Sequence, residues 1–210
     1  MKINFSALLF VLISCVLLVA AQTKPKFSYV AQKQLLPVEL GQVYLGMPFR
    51  EFARKLDFTK SEIDDRYGWL EVRIPYNKGN VTELYFKVHG LEPEELTNLS
   101  RTEMIKEKGE FGDYEREVKR LIASKIPAKG FVYEIILTYK PSFDLKSYLL
   151  KTYGQPFNIH KKGESGYFYD SQWTKKTTDG LRWMIRAFHE ESKTLQLIGI
   201  IDKTEWDTNA

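Results

Sequence analysis

The three histidines and the single cysteine are the first residues to examine for chemistry in this sequence. His189-Glu190 begins like the zinc-protease motif H-E-x-x-H, but position 193 is lysine and residues 190–193 predict a β-turn. That motif needs a helix, because a helix brings both imidazoles onto one face. His89 and His160 have no potential ligand at metal-binding spacing. We therefore predict no metal site and no bound cofactor.

Nucleophilic catalysis has little support in the sequence. The chain lacks the G-x-S-x-G, G-x-G-x-x-G and phosphate-loop motifs, and its only cysteine, Cys15, lies in an N-terminal apolar stretch. Acid–base catalysis stays open, because a fold can bring together carboxylates that are distant in sequence. The chain is predicted to be non-catalytic. The alternative is an envelope hydrolase in which Glu71 or Glu134 meets His89 in a cleft between two structural units.

Polar strand positions indicate a second kind of chemistry, the binding of another protein. Arg73, Tyr85 and His89 fall on the solvent side of two predicted strands, and Arg182 and Arg186 fall on that of a later strand. Arginine and aromatic side chains are enriched in protein-binding surfaces. These five are the predicted partner-binding residues, although antiparallel sheets also carry such residues on an ordinary solvent-facing side. The predicted partner is another envelope protein.

The elements that position these residues begin with a helix after Pro48, a residue suited to the first turn of a helix. One apolar stripe follows at i, i+3, i+4 and i+7, formed by Phe49, Phe52, Ala53 and Leu56. A helix of about three turns is too short to stand alone, so it needs a sheet on which to pack.

Alternating apolar residues predict that sheet. Residues 69–76, 81–89 and 131–139 read as three antiparallel strands, and Pro75 indicates that the first lies at an edge. Residues 91–129 interrupt the strand rhythm. Tyr114, Val118, Leu121, Ile122 and Lys125 follow helical spacing, so this segment predicts a helical insertion. The first α+β unit therefore covers residues 22–140, with the insertion at 91–129.

A second α+β unit, residues 141–206, repeats this order. Leu145, Tyr148 and Leu149 are the expected buried side of a helix that Gly154 ends. Residues 167–174, 181–188 and 194–202 read as three strands, with Trp173 and Trp183 in the core. The predicted fold class is α+β, with two tandem units that each pack a helix on a three-stranded antiparallel sheet.

The N-terminus predicts export. Lys2, an apolar run and the small residues before Gln22 are typical of a signal peptide over residues 1–21. Two alternatives stay open: an uncleaved membrane anchor, and a lipobox at residues 12–15 that places a lipid on Cys15. Membrane contact is expected only in those two cases. The mature chain has no cysteine, which favours the periplasm or cell envelope of a bacterium.

The charge pattern argues against a nucleic-acid partner. The net charge is +4, and the acidic and basic residues are interspersed. The basic clusters at 160–162 and 175–176 are short and lie near predicted turns. Nucleic-acid binding proteins instead concentrate lysine and arginine on one face, so we predict no nucleic-acid binding.

Two short motifs carry a family resemblance. Gly46-Met47-Pro48 before a helix is similar to the "G-M-[ST]" opening of the SmpA/OmlA family of small outer-membrane lipoproteins, and Tyr153-Gly154-Gln155-Pro156 resembles the closing "G-x-P". The tandem form also resembles the fold of β-lactamase inhibitory protein, in which two helix-plus-sheet repeats lie side by side. The first unit has only the opening motif and the second only the closing one. The resemblance implies a binding or scaffolding module.

Overall fold

The computed structural model describes residues 26–64, 70–110, 112–159, 169–190 and 192–207. In chain order, its strands are β1 (Glu62–Asp64), β2 (Leu70–Lys78), β3 (Val81–His89), β4 (Ser100–Gly109), β5 (Gly112–Leu121), β6 (Phe131–Tyr139), β7 (Asn158–Ile159), β8 (Ser171–Lys176), β9 (Arg182–Phe188) and β10 (Thr194–Ile200). Its α-helices are α1 (Tyr29–Gln32), α2 (Phe49–Ala53), α3 (Pro93–Asn98) and α4 (Leu145–Tyr153), and short 3₁₀ turns cover Val38–Leu40 and Ala123–Lys125.

One antiparallel sheet of eight strands dominates the described part of the chain, in the order β1-β2-β3-β6-β10-β9-β8-β7. The prediction of two tandem α+β units with separate three-stranded sheets is therefore wrong, and the fold is mostly β. The predicted strands are present, but β6 pairs with β3 on one side and with β10 on the other. Residues 132–135 of β6 are all buried, which suits an interior strand whose backbone is paired on both sides.

The prediction of a helical insertion at residues 91–129 is also wrong. After the short helix α3, this segment forms the two-stranded hairpin β4–β5. Tyr114, Arg116, Val118 and Arg120 are spaced two residues apart and share one face of β5, which the helical interpretation overlooked. Arg120 donates to the carbonyl oxygens of Lys60 and Ser61 at 3.0 and 3.1 Å, and these bonds tie the hairpin to the chain before β1.

Helix α2 is shorter than the predicted three turns. Phe49 and Phe52 are fully buried as expected, but the helix ends at Ala53 and Leu56 is only half-buried. The backbone N–H of Thr59 donates to Asp57 Oδ1 at 2.9 Å, a local turn that directs the chain towards β1.

Helix α4 agrees with its prediction. The side chain of Asp144 accepts the N–H of Ser147 at 3.1 Å as the N-cap, and Gly154 follows the helix with φ of 77°. Leu145 and Leu149 are fully buried. The predicted boundary at residue 140 falls in the connection between β6 and this helix.

The core lies between the sheet and the helices. The ring of Phe52 on α2 lies 4.4 Å from that of Phe86 on β3, and Tyr153 on α4 lies 5.9 Å from Trp173 on β8. Trp173 and Trp183 are 2% and 0% exposed, which confirms that both belong to the core. Helices α2 and α4 therefore pack on the same face of the sheet, which we call the inner face.

The predicted signal peptide at residues 1–21, with Cys15, lies outside the described residues. Within the described ranges, no helix has the length and apolarity needed to cross a membrane.

Candidate functional site

The opposite side of the sheet, which we call the outer face, carries the predicted partner-binding residues. Side chains alternate between the two faces of a strand, and paired residues on neighbouring strands share a face. The strand registers therefore assign to the outer face Glu71, Arg73, Glu83, Tyr85, Lys87, Glu134, Ile136, Gln196, Ile198, Met184, Arg186, Gln172 and Thr174.

One straight cross-strand row joins three of the five predicted residues. Arg73 pairs with Tyr85, and the row continues through Ile136 and Gln196 to Arg186. We call these five residues the central row. Four strand spacings of about 4.8 Å separate its ends, so it spans about 19 Å of the outer face. Each of its members is half-buried or exposed.

Arg73 and Tyr85 form the first part of the central row. The guanidinium of Arg73 makes a close ion pair with Glu83 and lies 5.5 Å from the centre of the Tyr85 ring. Burial raises the pKa of the Tyr85 phenol above its usual value. Arg73 therefore presents a cation whose position is fixed by both a carboxylate and an aromatic face.

Arg186 is held at the other end of the central row by two aromatic rings. Its guanidinium lies 4.8 Å from the ring of Tyr169 and 4.9 Å from that of Trp206. Arg182, four residues before Arg186 on β9, is exposed, pairs with Ile200 and lies outside the row. The structure thus gathers Arg73, Tyr85 and Arg186 in one row and leaves Arg182 at its margin.

His89 lies at the end of β3, against aromatic rings. Its imidazole is 5.5 Å from the ring of Phe131 and 6.2 Å from that of Tyr133. Burial lowers the pKa of His89, and the positive charge of Lys203 lowers it further. The contacts of His89 are therefore aromatic, whereas the hydrolase alternative required it to meet Glu71 or Glu134.

Glu134 is the centre of a polar cluster on the outer face that the sequence did not reveal. Its side chain is fully buried and accepts from Gln196 Nε2 at 2.7 Å and from Trp206 Nε1 at 2.9 Å. The ammonium of Lys87 lies 3.4 Å from Glu134 and 2.9 Å from Glu205. Burial opposes the charged form of Lys87, but these two carboxylates outweigh it, so the pKa of Lys87 is raised.

This cluster attaches the C-terminal segment, residues 201–207, to the outer face. The segment turns tightly, since the N–H and hydroxyl of Thr204 both donate to Ile201 O, at 3.2 and 2.7 Å. Glu205 and Trp206 then reach the side chains of Lys87 and Glu134. The segment covers the row next to the central row, contacts Arg186 in the central row through Trp206, and leaves Arg73 exposed.

A second group of chemically competent residues lies on the inner face, beside a cavity of about 140 Å³. Ser171 Oγ lies 3.1 Å from His189 Nε2, and His189 Nδ1 lies 3.7 Å from Asp170 Oδ2. Burial lowers the pKa of His189, while the negative charge of Asp170 opposes that effect. Helix α4 contributes Lys146 and Leu150 to the lining of this cavity.

Sequence reasoning missed this inner-face group. It examined His189 only as the start of a zinc motif. Ser171 and His189 are 18 residues apart in sequence. The available signal was the predicted hairpin of β8 and β9, in which Ser171 pairs with Ala187 and hence lies on the face of His189. In the described part of the chain, no group of three or more His, Cys, Asp and Glu side chains could hold a metal ion.

No protein-family model, curated protein or solved structure matches this chain. The resemblances to the SmpA/OmlA family and to β-lactamase inhibitory protein therefore stay predictions.

Proposed function

We propose that this chain is an exported envelope protein that binds another protein across the outer face of its sheet. The observation that carries this proposal is the central row, in which Arg73, Tyr85 and Arg186 align across five adjacent strands. Arginine and tyrosine supply much of the binding energy in protein interfaces when they lie near the centre of the contact.

The distribution of the helices makes this face available. Helices α2 and α4 pack on the inner face through Phe52 and Tyr153. On the outer face, the C-terminal segment is attached near Lys87 and Glu134 and does not bury Arg73. A sheet built from rigid, paired strands also holds these side chains in fixed positions, which lowers the entropy lost on binding.

The charges favour a protein over a polyanion as the partner. Arg73 is paired with Glu83, and Lys87 lies between Glu134 and Glu205. A nucleic acid would need cations free to contact successive phosphates, and these acidic neighbours repel phosphate. A protein surface with its own acidic and aromatic groups suits this mixture of cations, carboxylates and rings.

The proposed export is supported by the sequence of residues 1–22, in which a positive charge is followed by an apolar run and then by small residues. N-terminal sequencing of the protein from envelope fractions is expected to begin at Gln22. An intact Met1 on protein retained in the membrane would contradict cleavage. Palmitate labelling that is lost in Cys15→Ala would instead establish the lipoprotein alternative.

The binding proposal is tested by crosslinking from within the central row. A photoreactive phenylalanine analogue at position 85 is expected to capture one envelope protein, whereas the same analogue at Lys151, exposed on α4, is expected not to capture it. Charge reversal within the row, Arg73→Glu, is expected to lower that capture at least about tenfold.

Two further charge reversals complete the design. Arg182→Glu lies at the margin of the row and is expected to have a smaller effect, because rim charges contribute less than central ones. Lys151→Glu makes the same change in charge on the far side of the sheet and serves as the matched control. Equal capture by wild type, Arg73→Glu and Arg182→Glu would remove the outer face as the binding surface.

A further inference from the structure

The inner-face cavity holds a hydrogen-bonded serine and histidine that the binding proposal does not use. Ser171 and His189 are 5% and 6% exposed, and both line the cavity. Ser171 begins β8 and pairs with Ala187, so His189, two residues after Ala187, falls on the same face of the sheet. Their 3.1 Å contact is thus fixed by the register of two paired strands.

Asp170 places a carboxylate on the side of the His189 ring opposite Ser171, as in a serine–histidine–aspartate triad. Its Oδ2 lies 3.7 Å from His189 Nδ1 and accepts the N–H of Glu190 at 2.9 Å, which holds the carboxylate beside the ring. A proton on Nδ1 faces this carboxylate and leaves Nε2 able to accept from the Ser171 hydroxyl. Hydrogen bonds in such sites are often long without substrate and shorten when it binds.

Burial keeps His189 in the form that a base requires. The pKa of His189 is lowered chiefly by burial, and the charges of Lys146 and Lys193 lower it further, while Asp170 and Glu190 act in the opposite direction. The imidazole is therefore neutral near pH 7, and in the tautomer that carries its proton on Nδ1 the Nε2 atom accepts from Ser171 Oγ.

We propose that Ser171 is a nucleophile activated by His189 and that the cavity hydrolyses esters of short-chain carboxylic acids. Ser171 Oγ bonds to the ester carbonyl carbon as its proton passes to His189 Nε2. The bond to the alcohol oxygen then breaks, and that oxygen takes the proton from His189. Water attacks the acyl-serine, gives a proton to His189, and the acid leaves as Ser171 regains its hydrogen.

The cavity determines the class of ester. Its volume of about 140 Å³ lies well below the usual range for ligand pockets, which starts at about 300 Å³. An acetyl or propionyl group therefore fits against Leu150, Pro156 and Trp173, and the alcohol has to lie outside.

Lys146 supplies a positive charge where negative charge develops. It lines the cavity, and its ammonium is close enough to lower the pKa of His189. In acyl transfer the carbonyl oxygen becomes negative as the serine attacks, and a cation or N–H donor near it accelerates the step. We assign this stabilising contact to Lys146 and the positioning of His189 to Asp170.

The test is active-site labelling of the purified full chain with a fluorophosphonate probe, followed by peptide mass spectrometry. Wild type is expected to be labelled at Ser171, and Ser171→Ala is expected to give no label there. His189→Gln is expected to react at least about a hundredfold more slowly, which is the usual contribution of a general base. Ser142→Ala, at an exposed serine before α4, is the matched control and is expected to label like wild type.

Asp170→Asn tests positioning separately from folding. Asparagine Oδ1 can still accept the N–H of Glu190, but it removes the charge that raises the pKa of His189. The labelling rate is therefore expected to fall at least about tenfold, and the midpoint of its pH profile to move to lower pH. A purely structural role for Asp170 would leave that midpoint where it is in wild type.

Substrate turnover gives an independent result. The chain is expected to cleave p-nitrophenyl acetate with a burst of nitrophenol and to leave the decanoate ester intact, because the longer acyl chain exceeds the cavity. Wild-type labelling no faster than that of heat-denatured chain, or unchanged labelling in His189→Gln, would overturn the proposal. Since the cavity and the central row lie on opposite faces, these variants leave the binding test unaffected.

Discussion

Replacing Glu134 with alanine removes the acceptor on which three donors of the outer face converge. Gln196 and Trp206 each donate to it, and the ammonium of Lys87 lies 3.4 Å away. Each buried donor left without a partner costs about 1–3 kcal/mol. Lys87 still has its ion pair with Glu205 at 2.9 Å, so it loses only one of its two carboxylate partners. We expect the free energy of unfolding to fall by about 3–5 kcal/mol, as when one partner of a buried ion pair is removed.

Urea denaturation followed by far-UV circular dichroism measures this loss. With a slope of about 2 kcal/mol per molar urea, a loss of about 4 kcal/mol moves the midpoint by about 2 M. Glu83→Ala is the matched control, because it removes a carboxylate from a more exposed ion pair on the same face. Such pairs contribute about 0–1 kcal/mol, so its midpoint is expected to stay close to that of wild type.

Glu134→Gln separates the negative charge from the hydrogen bonds. A glutamine carbonyl can accept from Gln196 or Trp206, but its amide then faces the other donor, and we expect an intermediate loss. Trp206 fluorescence should report release of the C-terminal segment in Glu134→Ala before the main transition, because the indole donates to Glu134. A loss below about 1 kcal/mol, equal to that of Glu83→Ala, would refute the view that this cluster stabilises the fold.

Two further predictions concern backbone geometry and pH. Gly46→Ala is expected to lower the free energy of unfolding by more than Gly180→Ala in urea titrations. Both residues have positive φ, 80° and 88°, which costs an L-residue about 1–2 kcal/mol, but only at Gly46 would the new Cβ overlap the ring of Phe27. Burial raises the pKa values of Tyr133, Tyr139 and Tyr153 above 10. Their contribution to stability is fully present below about pH 10 and is lost as pH rises further, because the unfolded state then ionises first. Exposed tyrosines such as Tyr114 ionise in the folded chain, but the last part of the tyrosinate absorbance is expected to appear together with unfolding in an alkaline titration. Complete tyrosinate absorbance from a still-folded chain would contradict this.

The positions of β2, β3, β6, β8, β9 and β10 could be predicted from sequence because each of these strands has a local pattern. Leu70, Val72 and Ile74 alternate with polar residues, and all three are buried. Trp173 and Trp183 were assigned to the core for the same reason, and both are there. Alternation is a property of one strand and its two faces, so it needs no knowledge of neighbours.

The neighbours of each strand could not be predicted in this way. The hydrophobic pattern predicts which side chains of β6 and β10 are buried, but it does not predict that the two strands pair with each other. The pairing of Ile136 with Gln196 is a contact between residues 60 positions apart, and backbone hydrogen bonding at two otherwise open edges favours it. The helical prediction for the hairpin β4–β5 was wrong for a different reason. Tyr114 and Val118 lie four residues apart, a spacing that fits one face of a helix and also one face of a strand. Cross-strand ion pairs such as that of Lys106 with Glu115 then favour the hairpin.

The pairing of β6 with β10 also changes what the predicted binding residues can do. Arg73 and Tyr85 were assigned to one unit and Arg186 to another, with no reason to expect a common surface. In the structure, Gln196 pairs with Ile136 on one side and with Arg186 on the other. Because of these two pairings, Arg186 lies in the same row as Arg73 and Tyr85. A shift of one residue in either pairing would turn the side chains of one half to the opposite face. The binding proposal therefore depends on this register, and the charge reversals at Arg73 and Arg182 probe both halves of the same sheet.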